Sequence, residues 1–206
     1  MAYTTSGATG FGIKEVADVG FYEVGTVTVD TTTGAVTGTP LFVLDTLKVS
    51  TIENTAEQAD AKGGKGNAPL IIWDYGREIT ITLQDAVLTQ ETLSMMFEGN
   101  AKDATNEIVI SANTFPGTYA IVGKTFARDI NGKDSLFTWY VPKAKVNSEV
   151  TLTMEAEGDP TVFDMNLRVL RDSDGSMVKL IRDTSEDANA NALAYDPTKD
   201  FATKQG

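Results

Sequence analysis

Residues 60–86 read DAKGGKGNAPLIIWDYGREITITLQDA, and the end of this stretch decides the fold class. In EITITLQ, Ile79, Ile81 and Leu83 fall on one side of an extended chain, and Thr80, Thr82 and Gln84 on the other. Alternation with a period of two describes a strand with one face on a core and the other in water. The beginning of the stretch raises a separate question. Gly63, Gly64 and Gly66, with Lys62 and Lys65, suit either a loop that cradles a phosphate or one that holds another protein.

Working outward, the same period recurs. GTVTVD and LFVLDTLKVS are β-branched and apolar runs separated by the turn-forming TTTGAVTGTP, a hairpin or meander signature. TIENTAEQADAKGGKGNAP is polar and too long for a tight turn, so residues 50–70 are expected to form a long loop. TQETLSMMFEGN predicts one short helix at about residues 90–98. Thr89 is its N-cap, Glu91 lies in its first turn, and Leu93, Met96 and Phe97 share a face. Leu88 and Leu93 sit at hydrophobic-staple positions, and Gly99 is the stop.

Beyond the helix, TYAIVGKTFARD and SLFTWYVPKAKV flank INGKD, where Asn131-Gly132 suits a tight hairpin. EVTLTMEAE sets Val150, Leu152, Met154 and Ala156 against Thr151, Thr153, Glu155 and Glu157. TVFDMNLRVLR sets Phe163, Met165, Leu167 and Val169 against Asp164, Asn166 and Arg168, and MVKLIR follows. Many short strands with legible turns predict a mainly β protein: an antiparallel β-sandwich or barrel with one short helix, a long loop and extended terminal arms. Residues 1–20 are read as an N-terminal arm, 21–182 as the body and 183–206 as a C-terminal arm. The final segment is polar and loses the alternation. It is expected to leave the body, with Leu193, Tyr195 and Phe201 either anchoring it to a neighbour or lying in solvent.

Composition narrows the chemistry. With neither Cys nor His there are no disulfides, thiolate nucleophiles, Cys/His zinc sites or imidazole proton shuttles. A formal net charge of -12 argues against a protein that grips nucleic acid, although an acidic wall would let DNA slide past without sticking. There is no basic leader followed by an apolar run, and no apolar run long enough to span a membrane, so a soluble protein made in the cytoplasm is expected.

Near-motifs fail on spacing or context. GTYAIVGKT has five residues between its first glycine and Gly-Lys where a P-loop has four, and it reads as continuous strand. SMVK at 176–179 fits Ser-x-x-Lys, but it enters a strand and lacks the partner motifs. DSDG at 172–175 lacks the later glutamate of a calcium loop and is better explained as a turn. No carboxylate pair stands out as a glycosidase pair. No catalytic, cofactor or metal residues are therefore assigned, and the chain is not expected to be an enzyme. In KGGKGN the flexible glycines are followed by Trp73 and Tyr75, the composition of a protein interface.

The run GGKGNAPLIIWDYGREITITLQDA, the helix after it, and VGKTFARDINGKDSLFTWYVPKAKVNSEVTLTMEAEGDPTVFDMNLRVL resemble tail tube (major tail) proteins of long-tailed bacteriophages, over roughly residues 60–170. The resemblance implies a β-sandwich subunit that forms rings, commonly hexameric. The rings stack into a hollow tube lined by shared sheets, through which the genome passes without specific binding. Self-association, contact with other tail proteins, no membrane and a place in the virion tail after assembly in the host cytoplasm go with it. The alternatives are another phage structural protein, for decoration or tail completion, and a secreted carbohydrate-binding or glycosidase sandwich. For the last, Trp73 and Trp139 are a thin aromatic platform.

The expected assembly residues are Gly63, Gly64, Lys65, Gly66, Asn67, Trp73 and Tyr75, together with Lys143, Lys145, Glu155 and Glu157. The last four come from two charged runs: Lys124, Arg128, Lys133, Lys143 and Lys145, then Glu155, Glu157, Asp159 and Asp164. Such runs are expected either to meet across subunits and set register, or to be ordinary solvated faces.

Overall fold

The computed structural model describes residues 10–13, 18–87, 89–97, 107–147, 163–196 and 201. Eleven strands are β1 (Phe11–Ile13), β2 (Asp18–Glu23), β3 (Thr28–Val29), β4 (Val36–Thr37), β5 (Phe42–Leu44), β6 (Leu47–Gly63), β7 (Ala68–Asp85), β8 (Thr118–Asp129), β9 (Asp134–Val146), β10 (Phe163–Val169) and β11 (Lys179–Arg182). Two helices among the described residues are α1 (Gln90–Phe97) and α2 (Ala188–Leu193). Nine of these strands form one antiparallel sheet in the order β5-β2-β8-β9-β10-β7-β6, with β1 added to β8 and β11 to β9. The protein is mainly antiparallel β, as the alternation predicted.

The sheet curls around one main core. Val19 and Phe21 of β2, Ile81 and Leu83 of β7, Ile121 of β8, Trp139 and Val141 of β9, and Met165 and Leu167 of β10 all meet there. On β7 and β10 the alternation of the sequence marks the inward side, while β2 and β8 are buried on both faces. Trp139 packs against β8 where Gly123 has no side chain: a Cβ there would collide with the indole ring. On β9, Pro142 falls in the register irregularity between the Val141–Ile121 and Ala144–Tyr119 pairs, between the residues paired with β11 and those paired with β10. A residue without an N–H is tolerated at such a break.

Helix α1 begins as predicted, with Thr89 Oγ1 accepting the Thr92 N–H at 3.2 Å. Its buried residues are Thr92, Ser94, Met95 and Met96, while Leu93 and Phe97 are half-buried, so of the predicted face only Met96 is fully covered. Leu88, Gly99 and the predicted strand 149–157, with Glu155, Glu157 and Asp159, lie outside the described residues. At the β8–β9 turn, Gly132 alone takes a positive φ, +82°, and Asp129 Oδ1 accepts the Asn131 and Lys133 N–H groups.

A second, smaller cluster covers the opposite face of β2 and β8. It contains Tyr22, Val27, Ala120, Val122 and Phe201, flanked by Tyr195 and by valines of the β3–β4 hairpin. This corrects the expectation of a C-terminal arm leaving the body. Phe201 is fully buried, and it sits where Gly20 leaves room: a Cβ on Gly20 would be 2.8 Å from its ring. The ring of Tyr195 meets Phe126 edge-on at 5.5 Å, and its hydroxyl donates to Asp18 at 2.9 Å. Helix α2, absent from the sequence reading, is held by Asp183, whose carboxylate accepts Ser185 N–H, Ser185 Oγ–H and an Asn191 Nδ2–H. Leu193 remains exposed.

Candidate functional site

The prominent feature outside the body is the β6–β7 hairpin. The two strands pair from Leu47 opposite Asp85 to Gly63 opposite Ala68, so the predicted loop 50–70 is strand almost throughout. The sequence misled because distal β6, ENTAEQADA, has no buried face and hence no apolar alternation. Its strand state comes from pairing with the apolar PLIIWDY of β7. From Glu53 to Gly63, at about 3.3 Å per residue, the arm reaches roughly 35 Å.

The glycines close the arm. Gly64, Gly66 and Asn67 take positive φ values of 78°, 94° and 51°, and the Asn67 N–H bonds to Gly64 O at 3.3 Å. Gly64, Lys65, Gly66 and Asn67 therefore form a tight turn closed by the Gly63–Ala68 pair, where the left-handed backbone favours Gly and Asn.

A bulge marks the arm's root. Thr55 pairs with Glu78 and Glu57 with Tyr75, so Gly76 and Arg77 together oppose Ala56, and Gly76 takes φ +61°. An extra residue reverses the parity of a strand. Below the bulge, odd-numbered Ile79, Ile81 and Leu83 point into the core. Above it, odd-numbered Ile71, Trp73 and Tyr75 stand opposite Ala61, Ala59 and Glu57. That row lies on the side which, nearer the body, carries the pairs Thr55–Glu78, Glu53–Thr80 and Thr51–Thr82. The apolar row thus stands in solvent: Trp73 is 54% exposed, Tyr75 52% and Ile71 53%. Ala59, opposite Trp73, leaves that ring uncovered. The other side of the arm is more polar, with Gln58 donating to Asp74 at 2.8 Å and Asp60 opposite Ile72.

At the root, β7, β9 and β10 frame an open groove of about 880 Å³. Its charged walls are Arg77, Lys145, Arg168 and Arg171, with Glu78 as the only acid among its lining residues. Arg168 pairs with Glu78 at 3.1 Å across exposed side chains, a contact worth little by itself. Lys145 thus joins the arm's base, while Lys143 is half-buried on β9 and does not line the groove.

The remaining basic residues of that run are partly accounted for inside the chain. Lys124 is 3% exposed, with its ammonium 5.7 Å from the Tyr195 ring and 5.5 Å from that of Phe201. Arg128 makes two 2.7 Å bonds to Asp134. Lys124 is thereby closed off from a neighbour, while Arg128 stays half exposed. Asp164, from the acidic run, accepts a bond from Gln84 at 2.9 Å.

Among the described residues no group of three or more acidic side chains is placed to hold a metal. None of their helices is long and apolar enough to cross a membrane.

A curled antiparallel body with one long projecting arm places the chain among mainly β proteins that carry an extended hairpin. The chain belongs to the YomU/Tube protein family, which its residues 11–101 and 96–182 match. That family is phage-derived and tube-like, which makes this chain a phage tube-like structural protein. A search of curated proteins found none that matches.

Proposed function

We propose that the chain is a tail tube subunit that assembles into stacked rings, hexameric as the tail-tube resemblance implies, enclosing a conduit for a phage genome. The observation that carries this reading is the arm: an apolar row of Ile71, Trp73 and Tyr75 held about half exposed on a hairpin outside the body. Exposed contiguous apolar surface on a rigid element is a contact waiting for its partner. The partner proposed is another copy of the same chain, with other tail proteins at the tube's ends. The Thr-rich outer face of β6 and β7 and a formal charge of -12 suit a passage that DNA crosses without specific binding. In this reading the protein has no catalytic role.

Negative-stain microscopy of the purified protein tests the proposal, with hollow tubes or stacked rings expected. The matched variant removes residues 57–75 and closes the hairpin with Asn-Gly. It should remain folded, with the thermal transition of the parent, and form no tubes. Tubes from the shortened chain, or a parent that stays monomeric at high concentration, would refute it.

A further inference from the structure

We infer that the cationic groove at the arm's root is the acceptor for the distal arm of a second copy. The inference rests on the assembly reading above and names the two surfaces that meet.

The chain carries 17 basic and 29 acidic residues, so copies approaching one another repel on average. Four of its cations nevertheless converge on one open groove, against a single carboxylate among the described residues, which already contacts Arg168. The occupant must supply carboxylates and, because Met177 and Leu170 also line the groove, apolar surface. The distal arm offers both. Glu57 lies beside Tyr75 and Trp73 on its apolar side, and Asp74 lies on the other side, all of them exposed. Guanidinium groups are suited to such a ligand, because they fork onto carboxylates and stack on aromatic faces.

One docking event would cover the apolar row and supply anions to the groove. Glu57 and Tyr75 stand one pair beyond the bulge that carries the groove's Arg77, and from there the arm runs outward, away from its own groove. Arm and groove are different surfaces, so with each copy offering its arm to one neighbour and its groove to another the contact is heterologous and repeats to build a ring or a stack.

The test exchanges the charges. One variant reverses the groove, Lys145→Glu with Arg171→Glu, and the other reverses the arm, Glu57→Lys with Asp74→Lys; all four positions are exposed. Self-association is followed by sedimentation velocity at low salt, with thermal melts as the folding control. Each variant alone should associate at least about tenfold more weakly than the parent, since like charges then face each other. An equimolar mixture should regain parental association, because reversed arms meet reversed grooves. Parental association by either variant alone, a mixture that stays dissociated, or a parent with no self-association would overturn the inference. Tubes formed normally by the groove variant would sink the groove assignment and leave the tube reading standing. A restored mixture and an associating parent that never form tubes would do the reverse.

Discussion

The β6–β7 arm and the C-terminal segment carry similar residues to opposite ends. Each presents aromatic side chains outside the main core, yet Phe201 is fully buried while Trp73 is 54% exposed. The difference lies in what the rest of the chain provides. Gly20 opens a seat on the outer face of β2 for Phe201, and Ala120 and Val122 on β8 line it. Opposite Trp73 stands only Ala59, on a two-stranded ribbon with no third layer. Two strands with nothing packed on them cannot bury an aromatic row. An aromatic residue outside the main core therefore does not announce its own role, which depends on whether its chain supplies a seat.

The largest effect that would break this comparison is on the covered side. Phe201→Ala should destabilise the body by about 3–5 kcal/mol, the cost of emptying a filled aromatic site. For a chain of this size that lowers the thermal midpoint by roughly 6–20 °C. Differential scanning calorimetry checks it, and an unchanged midpoint would show that the segment is not part of the fold.

A smaller effect concerns how that segment is held. Burial pushes the Asp183 carboxyl's pKa up, but the bonds from Asn191 and Ser185 outweigh this, and the net shift is downward from 3.8. At the nearby β10–β11 turn, the Ser176 hydroxyl and amide and the Lys179 ammonium draw Asp174 down to about 2. A carboxyl with a lowered folded pKa stabilises the fold above its unfolded pKa, and this contribution is lost as pH falls through the folded value. Stability should thus be flat above about pH 5 and decline from about pH 4 toward pH 2. In thermal melts across that range Asp183→Asn should be less stable than the parent at neutral pH and show a shallower decline, the two converging in acid. Parallel curves would remove Asp183 from the account.

These contrasts also mark what was legible in the sequence. The alternation of Ile79, Ile81 and Leu83, and of Met165, Leu167 and Val169, survived intact, because each strand has one face on the core and pattern and burial coincide. The Thr89 cap was legible because capping is local chemistry. Distal β6 was not, since a strand exposed on both faces has no reason to alternate. The parity switch was written only in Gly76, whose meaning depends on pairing across the hairpin.

The candidate site was half legible for the same reason. The glycines, Trp73 and Tyr75 do share one element, and Lys145 lies at its root. The groove joins residues from β7, β9 and β10, and no run along the chain brings Arg77 near Arg171. Lys124 reads as a surface cation until Tyr195 and Phe201 close over it.

The smallest expected effect on the fold belongs to the arm, and it sharpens the comparison most. Trp73→Ala removes an aromatic ring from a side chain that makes no contribution to either hydrophobic cluster. Substitutions at such positions usually change stability by less than about 0.5 kcal/mol, so the calorimetric midpoint should stay within a few degrees of the parent. Self-association, followed by light scattering, should nevertheless fall by at least about tenfold, because buried aromatic anchors dominate interface energetics. The pair Phe201→Ala and Trp73→Ala thus separates folding from assembly with the same kind of deletion made twice. If Trp73→Ala unfolded the body as Phe201→Ala does, the arm would be part of the domain's own core and the contrast would collapse. If it altered neither stability nor association, the exposed row would need a partner other than a second copy of the chain.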